Sequence, residues 1–108
     1  PYLDNQSEML LQAIQGVLTS VRSPTPSNEL NENLTQIITI VSSIVAVSRG
    51  SLPMSAQDRG LGILNILSEH CDKLSEVQLE GTVSKDSRHV MAISSYAIAN
   101  AVKELMKL

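Results

Sequence analysis

The chain has 108 residues, which suits a single domain with one hydrophobic core. Apolar residues make up 43% of it and aromatic residues only 2%, while the net charge is −3. Few rings and no basic excess exclude base stacking and phosphate neutralisation, so we predict a domain that binds no nucleic acid and has an aliphatic core.

The first predicted helix covers about residues 3–22, because its apolar residues recur at helical spacings. They are Leu3, Leu10, Leu11, Ile14, Val17, Leu18 and Val21. Pro24 and Pro26 end it, since proline cannot continue the hydrogen-bond ladder. Ser23 and Thr25 each precede a proline, as proline-directed kinases require. Both are therefore candidate phosphorylation sites, where modification would add negative charge near the next helix start.

The second predicted helix covers about residues 28–48. Its β-branched content also suits a strand, but its length and helical period favour a helix. The predicted core side chains are Leu30, Leu34, Ile37, Ile38, Val41, Ile44 and Val45. Gly50 and Pro53 then break the pattern.

The third predicted helix covers about residues 56–80, with Ser55 as its expected N-cap and Gly81 as its C-terminal stop. Its predicted core face carries Leu61, Leu64, Leu67, Cys71, Leu74 and Gln78. Gly60 and Gly62 lie in its first turns, where each weakens the helix by about 1 kcal/mol relative to alanine. They could instead allow a neighbouring helix to approach closely.

The fourth predicted helix covers about residues 85–107 and opens at Ser84 or Asp86. Its predicted stripe is Val90, Met91, Ser94, Ala97, Ile98, Ala101, Val102 and Leu105. Four such helices with short connections predict an all-α, up-down-up-down antiparallel four-helix bundle. The alternative is a pair of helical hairpins that completes its core by dimerising.

Neither catalysis nor a metal or cofactor is predicted. Glu69, His70, Cys71 and Asp72 are consecutive, so on a helix they point about 100° apart and cannot converge on one ion. The single cysteine forms no internal disulfide, which fits a reducing compartment. No uninterrupted apolar run approaches the ~20 residues of a membrane span, so we also predict no direct membrane insertion.

The second and third helices carry more apolar residues than one buried face needs. Ile40 and Val47 lie on a flank of the second helix, and Ile63, Ile66 and Val77 on a flank of the third. One interpretation is that these residues pack at the seam between the two helices. The other is that Ile40, Val47, Ile63 and Ile66 form a groove for an amphipathic partner helix. Arg59 and Lys73 would then steer acidic residues of that ligand.

Three segments resemble a known family. The stretch from Ala92 to Leu105 is similar to the last helix of focal-adhesion-targeting-type bundles, particularly in the carboxy-terminal domain of fungal polarisome scaffolds, relatives of the GIT scaffold proteins. Residues Leu34 to Arg49 and Cys71 to Leu74 support the resemblance. It implies a non-enzymatic cytoplasmic scaffold near the actin cytoskeleton, at sites of polarised growth or the cell cortex. Animal relatives hold leucine-rich LD helices of paxillin-type adaptors in grooves of such bundles.

The leading hypothesis is therefore a non-catalytic scaffold domain that binds a helical peptide motif of a protein partner. The competing hypothesis is a structural dimerisation or tethering domain, in which the extra apolar flank joins two copies as a homodimer.

Overall fold

The computed structural model describes residues 2–22, 28–81 and 84–107. These ranges contain the α-helices α1 (Tyr2–Arg22), α2 (Asn28–Arg49), α3 (Gln57–Glu80) and α4 (Lys85–Met106), and the short 3-10 turn Met54–Ala56 leads into α3. Each helix begins and ends within one residue of the position expected from its apolar periodicity.

The helices form an antiparallel ring in which α1 contacts α2, α2 contacts α3, α3 contacts α4, and α4 returns to α1. Ser7, near the start of α1, lies 3.0 Å from the sulfur of Met106 at the end of α4. Gln78, near the end of α3, donates to Thr35 in the first half of α2 at 2.6 Å. The predicted all-α bundle is confirmed, and the contact between α1 and α4 closes its core without a second copy.

The core is aliphatic and draws on every helix. Its largest fully buried side chains are Leu10, Val17, Ile37, Val41, Ile44, Leu64, Leu67, Leu74, Met91 and Ile98. Two residues expected in the core, Leu11 and Leu61, instead lie exposed on the surface. Leu61 is six residues before Leu67, a rotation of about 120° that carries it off the buried face.

Helix α2 is the most apolar of the four. Over Glu29–Arg49 it is long and apolar enough to cross a membrane by length and composition, with a mean hydropathy of 1.3. A core helix meets the same criterion, and α2 places Leu30, Leu34, Ile37 and Ile44 in the bundle core. The bundle buries 33% of this apolar stretch.

Different local structures terminate α3 and begin α4. Gly81 follows α3 with φ 71°, a left-handed conformation that glycine adopts without strain. At the start of α4, the Ser87 amide donates to Oγ of Ser84 at 3.1 Å, and the Ser84 amide donates to Oγ of Ser87 at 2.7 Å. This reciprocal capping box confirms Ser84 as the N-cap.

The expected Ser55 cap on α3 is wrong. Ala56 occupies the N-cap position and makes no side-chain capping bond. The 3-10 turn places Ser55 one residue too early, and backbone carbonyls of the turn accept instead: the Ala56 amide donates to Pro53 and the Gln57 amide to Met54.

The two glycines at the start of α3 differ in their surroundings. Gly60 is buried beneath the side chain of Leu52, so a Cβ there would push this loop residue away. The close approach thus comes from the loop before α3 and not from a neighbouring helix. Gly62 is exposed, and a Cβ added to it would meet nothing within 4 Å.

Gly62→Ala is therefore expected to raise the free energy of unfolding by about 1 kcal/mol, because alanine restricts the unfolded chain and favours a helix. Thermal unfolding followed by circular dichroism measures the change. Gly60→Ala is the control, since its gain in helix propensity is offset by displacement of Leu52. Equal stabilisation by both variants would contradict the described packing.

Candidate functional site

The flank of α2 that carries Ile40 and Val47 faces α1. Asn33, Ile40 and Val47 are spaced by seven residues and so lie on one side of the helix. The Asn33 side chain packs over Gly16 of α1, which identifies the neighbour of that side. Ile40 is only 5% exposed and belongs to the core, whereas Val47 is 47% exposed.

The predicted flank of α3 faces α4. Ile63 and Ile66 line a depression with Ala97 and Ala101 of α4. At one end of this seam, the Arg59 guanidinium lies 3.7 Å from the carboxylate of Glu104 on α4. Further along α3, Lys73 and Val77 line a second depression against the start of α4. Ile63 is nearly buried, but Ile66 is 45% exposed.

The predicted groove between the second and third helices is therefore corrected. Its two flanks point to opposite sides of the bundle, and Ile40 and Ile63 contribute to the core. The depression that does lie between α2 and α3 contains none of the predicted groove residues. It is lined by Val41, Ser42, Val45, Ala46, Arg49, Ser68, Cys71 and Asp72. The alternative, packing at the seam between the second and third helices, is also corrected. Ile40 and Ile63 are buried, but they lie on the sides of their helices that face α1 and α4.

We define the α3/α4 groove as the depression of about 310 Å³ between the first half of α3 and the last half of α4. It is lined by Ile63, Ile66, Ala97, Asn100, Ala101 and Glu104. Ile93 is half exposed and precedes Ala97 by four residues, so it extends the same side of α4. The groove thus has an apolar floor, and the half-exposed side chains of Ile66 and Ile93 lie at its edge.

A second depression of about 520 Å³, which we call the acidic end, lies further along α3, against the start of α4. It is lined by Lys73, Glu76, Val77, Glu80, Ser84, Asp86, Ser87 and Val90. The ammonium group of Lys73 lies 3.8 Å from the carboxylate of Glu69, four residues earlier on α3. The acidic end therefore contains the carboxylates of Glu76, Glu80 and Asp86 and one cation, Lys73, which already pairs with Glu69.

Groups with catalytic potential lie in unfavourable surroundings. Burial, reinforced by the charge of Asp72, raises the pKa of the Cys71 thiol, although a hydrogen bond with Ser42 opposes the shift. A raised pKa keeps this thiol protonated and weakly nucleophilic. Nδ1 of His70 lies 3.4 Å from Oγ of Ser94, a pair that sequence reasoning missed, but Ser94 is buried where no substrate reaches it.

Two further predictions concern metal binding and phosphorylation. Within residues 2–22, 28–81 and 84–107, no group of three or more His, Cys, Asp or Glu side chains is arranged to hold a metal ion. The predicted phosphorylation sites Ser23 and Thr25 lie outside the described residues. Their modification stays a prediction.

Comparison with known proteins gives a family. No curated protein and no solved structure shows significant similarity to the chain. A family model described as G protein-coupled receptor kinase-interacting protein 1 C term matches residues 1–108. It represents scaffold-type domains and is not a known enzyme family. The match covers every residue of the four-helix bundle, so the chain belongs to the G protein-coupled receptor kinase-interacting protein 1 C-terminal family.

Proposed function

We propose that this domain is a non-catalytic scaffold module that binds the apolar face of an amphipathic partner helix in the α3/α4 groove. The observation that carries the proposal is the exposure of Ile66 and Ile93, each about half open to solvent beside an apolar depression. Membership of a scaffold-type family supports a role in protein interaction. The protonated Cys71 thiol and the buried Ser94 hydroxyl support the absence of catalysis.

The shape of the groove favours a helix as its ligand. Two antiparallel helices form its walls, and a third helix packs on such a surface at an interaxial distance of about 8–10 Å. Ala97 and Ala101 are one turn apart on α4, so their small side chains leave room for a ligand to approach. Ile63 and Ile66 provide an opposing apolar ridge on α3. Apolar residues one turn apart on the ligand would fill the space between them.

Ile66→Glu is expected to weaken binding of an amphipathic helical peptide at least about tenfold, because it removes apolar contact and buries a carboxylate on binding. The fold should persist, since Ile66 is half exposed. Leu61→Glu is the matched control, because Leu61 lies on the same helix with nearly equal exposure, 44% against 45%, outside the groove. Fluorescence anisotropy with a labelled peptide gives both affinities. Equal affinities for the two variants would reject the groove.

The competing function is self-association through the same apolar surface. Arg59 and Lys73 already pair with Glu104 and Glu69 of their own chain, so a second copy would bring further acidic residues to a face whose acidic end already carries three unpaired carboxylates in the described ranges. This charge distribution disfavours a homodimer. Sedimentation equilibrium of the wild type tests it. A tight dimer that Ile66→Glu dissociates would favour self-association over peptide binding.

The cellular setting is also a proposal. The resemblance to fungal polarisome scaffolds supports a role in cell polarity and organisation of the actin cytoskeleton, with the protein in the cytoplasm at sites of polarised growth or the cell cortex. Fluorescence imaging of the tagged full-length protein tests this placement. A uniform distribution through the cell would contradict it.

A further inference from the structure

The face that carries the α3/α4 groove is predominantly acidic. Its charged side chains line the two depressions or pair with residues that do. They are Arg59, Glu69, Lys73, Glu76, Glu80, Asp86, Glu104 and Lys107, three basic and five acidic groups.

Each basic group on this face has a carboxylate of its own chain as a neighbour. Arg59 and Lys107 lie 3.7 Å and 3.4 Å from the carboxylate of Glu104, which they share. Lys73 lies 3.8 Å from Glu69. The remaining carboxylates, Glu76, Glu80 and Asp86, form no ion pair within the described parts of the chain. The excess negative charge is therefore concentrated at one end of the apolar groove.

The distribution runs against the expectation that Arg59 and Lys73 steer acidic residues of a ligand. An acidic helix would have to compete with Glu104 and Glu69 for the cations of this face or lie against the unpaired carboxylates. A helix with basic residues would instead find three free acceptors. The charge of this face therefore favours a partner helix that carries basic residues.

We infer that the occupant of the α3/α4 groove is a basic amphipathic helix of a partner protein. Its apolar stripe packs on Ile63 and Ile66, and Lys or Arg residues beyond the stripe lie against the acidic end. Glu76 and Glu80 follow Ile66 by ten and fourteen residues, which is about 15–21 Å along α3. The ligand helix thus carries its basic residues roughly three to four turns from its apolar anchors. This inference rests on the proposed peptide-binding function and adds the chemistry of the partner.

Two synthetic helical peptides of about 20 residues test the inference. They share one leucine stripe and differ only in the flanking residues at both ends, which are Lys in one and Glu in the other, so that binding orientation does not matter. The basic peptide is expected to bind about tenfold more tightly at low ionic strength, because several solvent-exposed charge pairs each contribute a fraction of a kcal/mol. Added salt should reduce the difference.

A charge-neutral variant of the domain links this preference to the acidic end. Glu76→Gln/Glu80→Gln/Asp86→Asn is expected to abolish the preference for the basic peptide. The matched control is Glu8→Gln/Glu29→Gln/Glu32→Gln, which removes the same number of charges from exposed positions on α1 and α2. The control should retain the preference, and circular dichroism shows whether both variants keep their helices.

The outcomes separate this inference from the proposed function. Equal binding of the two peptides, with both sensitive to Ile66→Glu, would overturn the basic partner and leave the groove intact. Tighter binding of the acidic peptide would overturn it in the same way. Loss of the preference in the control variant would show that overall charge, and not the acidic end, selects the peptide. No binding of either peptide would overturn the groove and the inference together.

Discussion

Replacing Leu64 with alanine is expected to lower the free energy of unfolding by about 2–5 kcal/mol. Leu64 is fully buried in the aliphatic core, so the truncation removes apolar contacts and leaves a cavity that the rigid helices fill only in part. This is a large fraction of the roughly 5–15 kcal/mol that stabilises a typical domain. Urea unfolding followed by circular dichroism measures the loss.

Leu61→Ala is the control for this measurement. Leu61 lies three residues earlier on α3 and is exposed, so its truncation should change the stability by less than about 1 kcal/mol. An unchanged unfolding midpoint for Leu64→Ala, or a larger effect from Leu61→Ala, would show that the rotation of α3 about its own axis is wrong.

Ile40→Glu is expected to unfold the domain or lower its stability by several kcal/mol. Ile40 is buried on the side of α2 that faces α1, and the substitution would place a carboxylate in an aliphatic core. The helical signal in circular dichroism should fall, or the thermal midpoint should drop steeply. The result depends on pH, because burial raises the pKa of such a carboxyl and protonation relieves part of the cost.

Val47→Glu provides the contrast on the same helix. Val47 follows Ile40 by seven residues and shares its side of α2, but it is about half exposed, so a glutamate there stays hydrated. Its unfolding midpoint should remain close to that of the wild type. Comparable losses from both substitutions would contradict the different burial of the two positions.

Helix positions were predictable from the sequence because local information determines them. Apolar residues at helical spacings mark each helix, and Pro24 and Pro26 interrupt this pattern in the sequence. Gly81 and Ser84 are of residue types that favour helix ends. The wrong prediction of Ser55 as the N-cap of α3 shows a limit of this local information. A short 3-10 turn before α3 changed which residue precedes the helix, and no side-chain pattern signals that turn.

The location of the groove was not predictable in the same way. Periodicity shows that Ile40 and Ile66 lie to one side of their helices' core faces, but not which neighbouring helix each side meets. That depends on the order of the helices around the bundle and on the rotation of each helix. Whether a flank residue is buried also depends on its neighbour: Ile63 packs into the core, while Ile66, one turn further, remains half exposed.

One of the two charge pairs that change the expected role of Arg59 and Lys73 was equally hidden in the sequence. Arg59 and Glu104 are 45 residues apart in the chain, and only the packing of α3 against α4 brings them together. Lys73 and Glu69 are four residues apart on α3, where pairing follows from helix geometry. Two residues expected to steer a ligand therefore have acidic neighbours within the protein, and the carboxylates of the acidic end are left without an ion pair in the described ranges.

Mapping the binding surface by nuclear magnetic resonance tests whether the partner helix binds to α3 and α4. The isotope-labelled domain is titrated with the basic amphipathic peptide, and changes in the amide signals are followed residue by residue. We expect the largest changes along the α3/α4 groove and the acidic end, around Ile66, Ala97 and Glu80. Changes centred on Val47 and the α1/α2 seam, or on the depression between α2 and α3, would contradict the assignment of the binding site to α3 and α4.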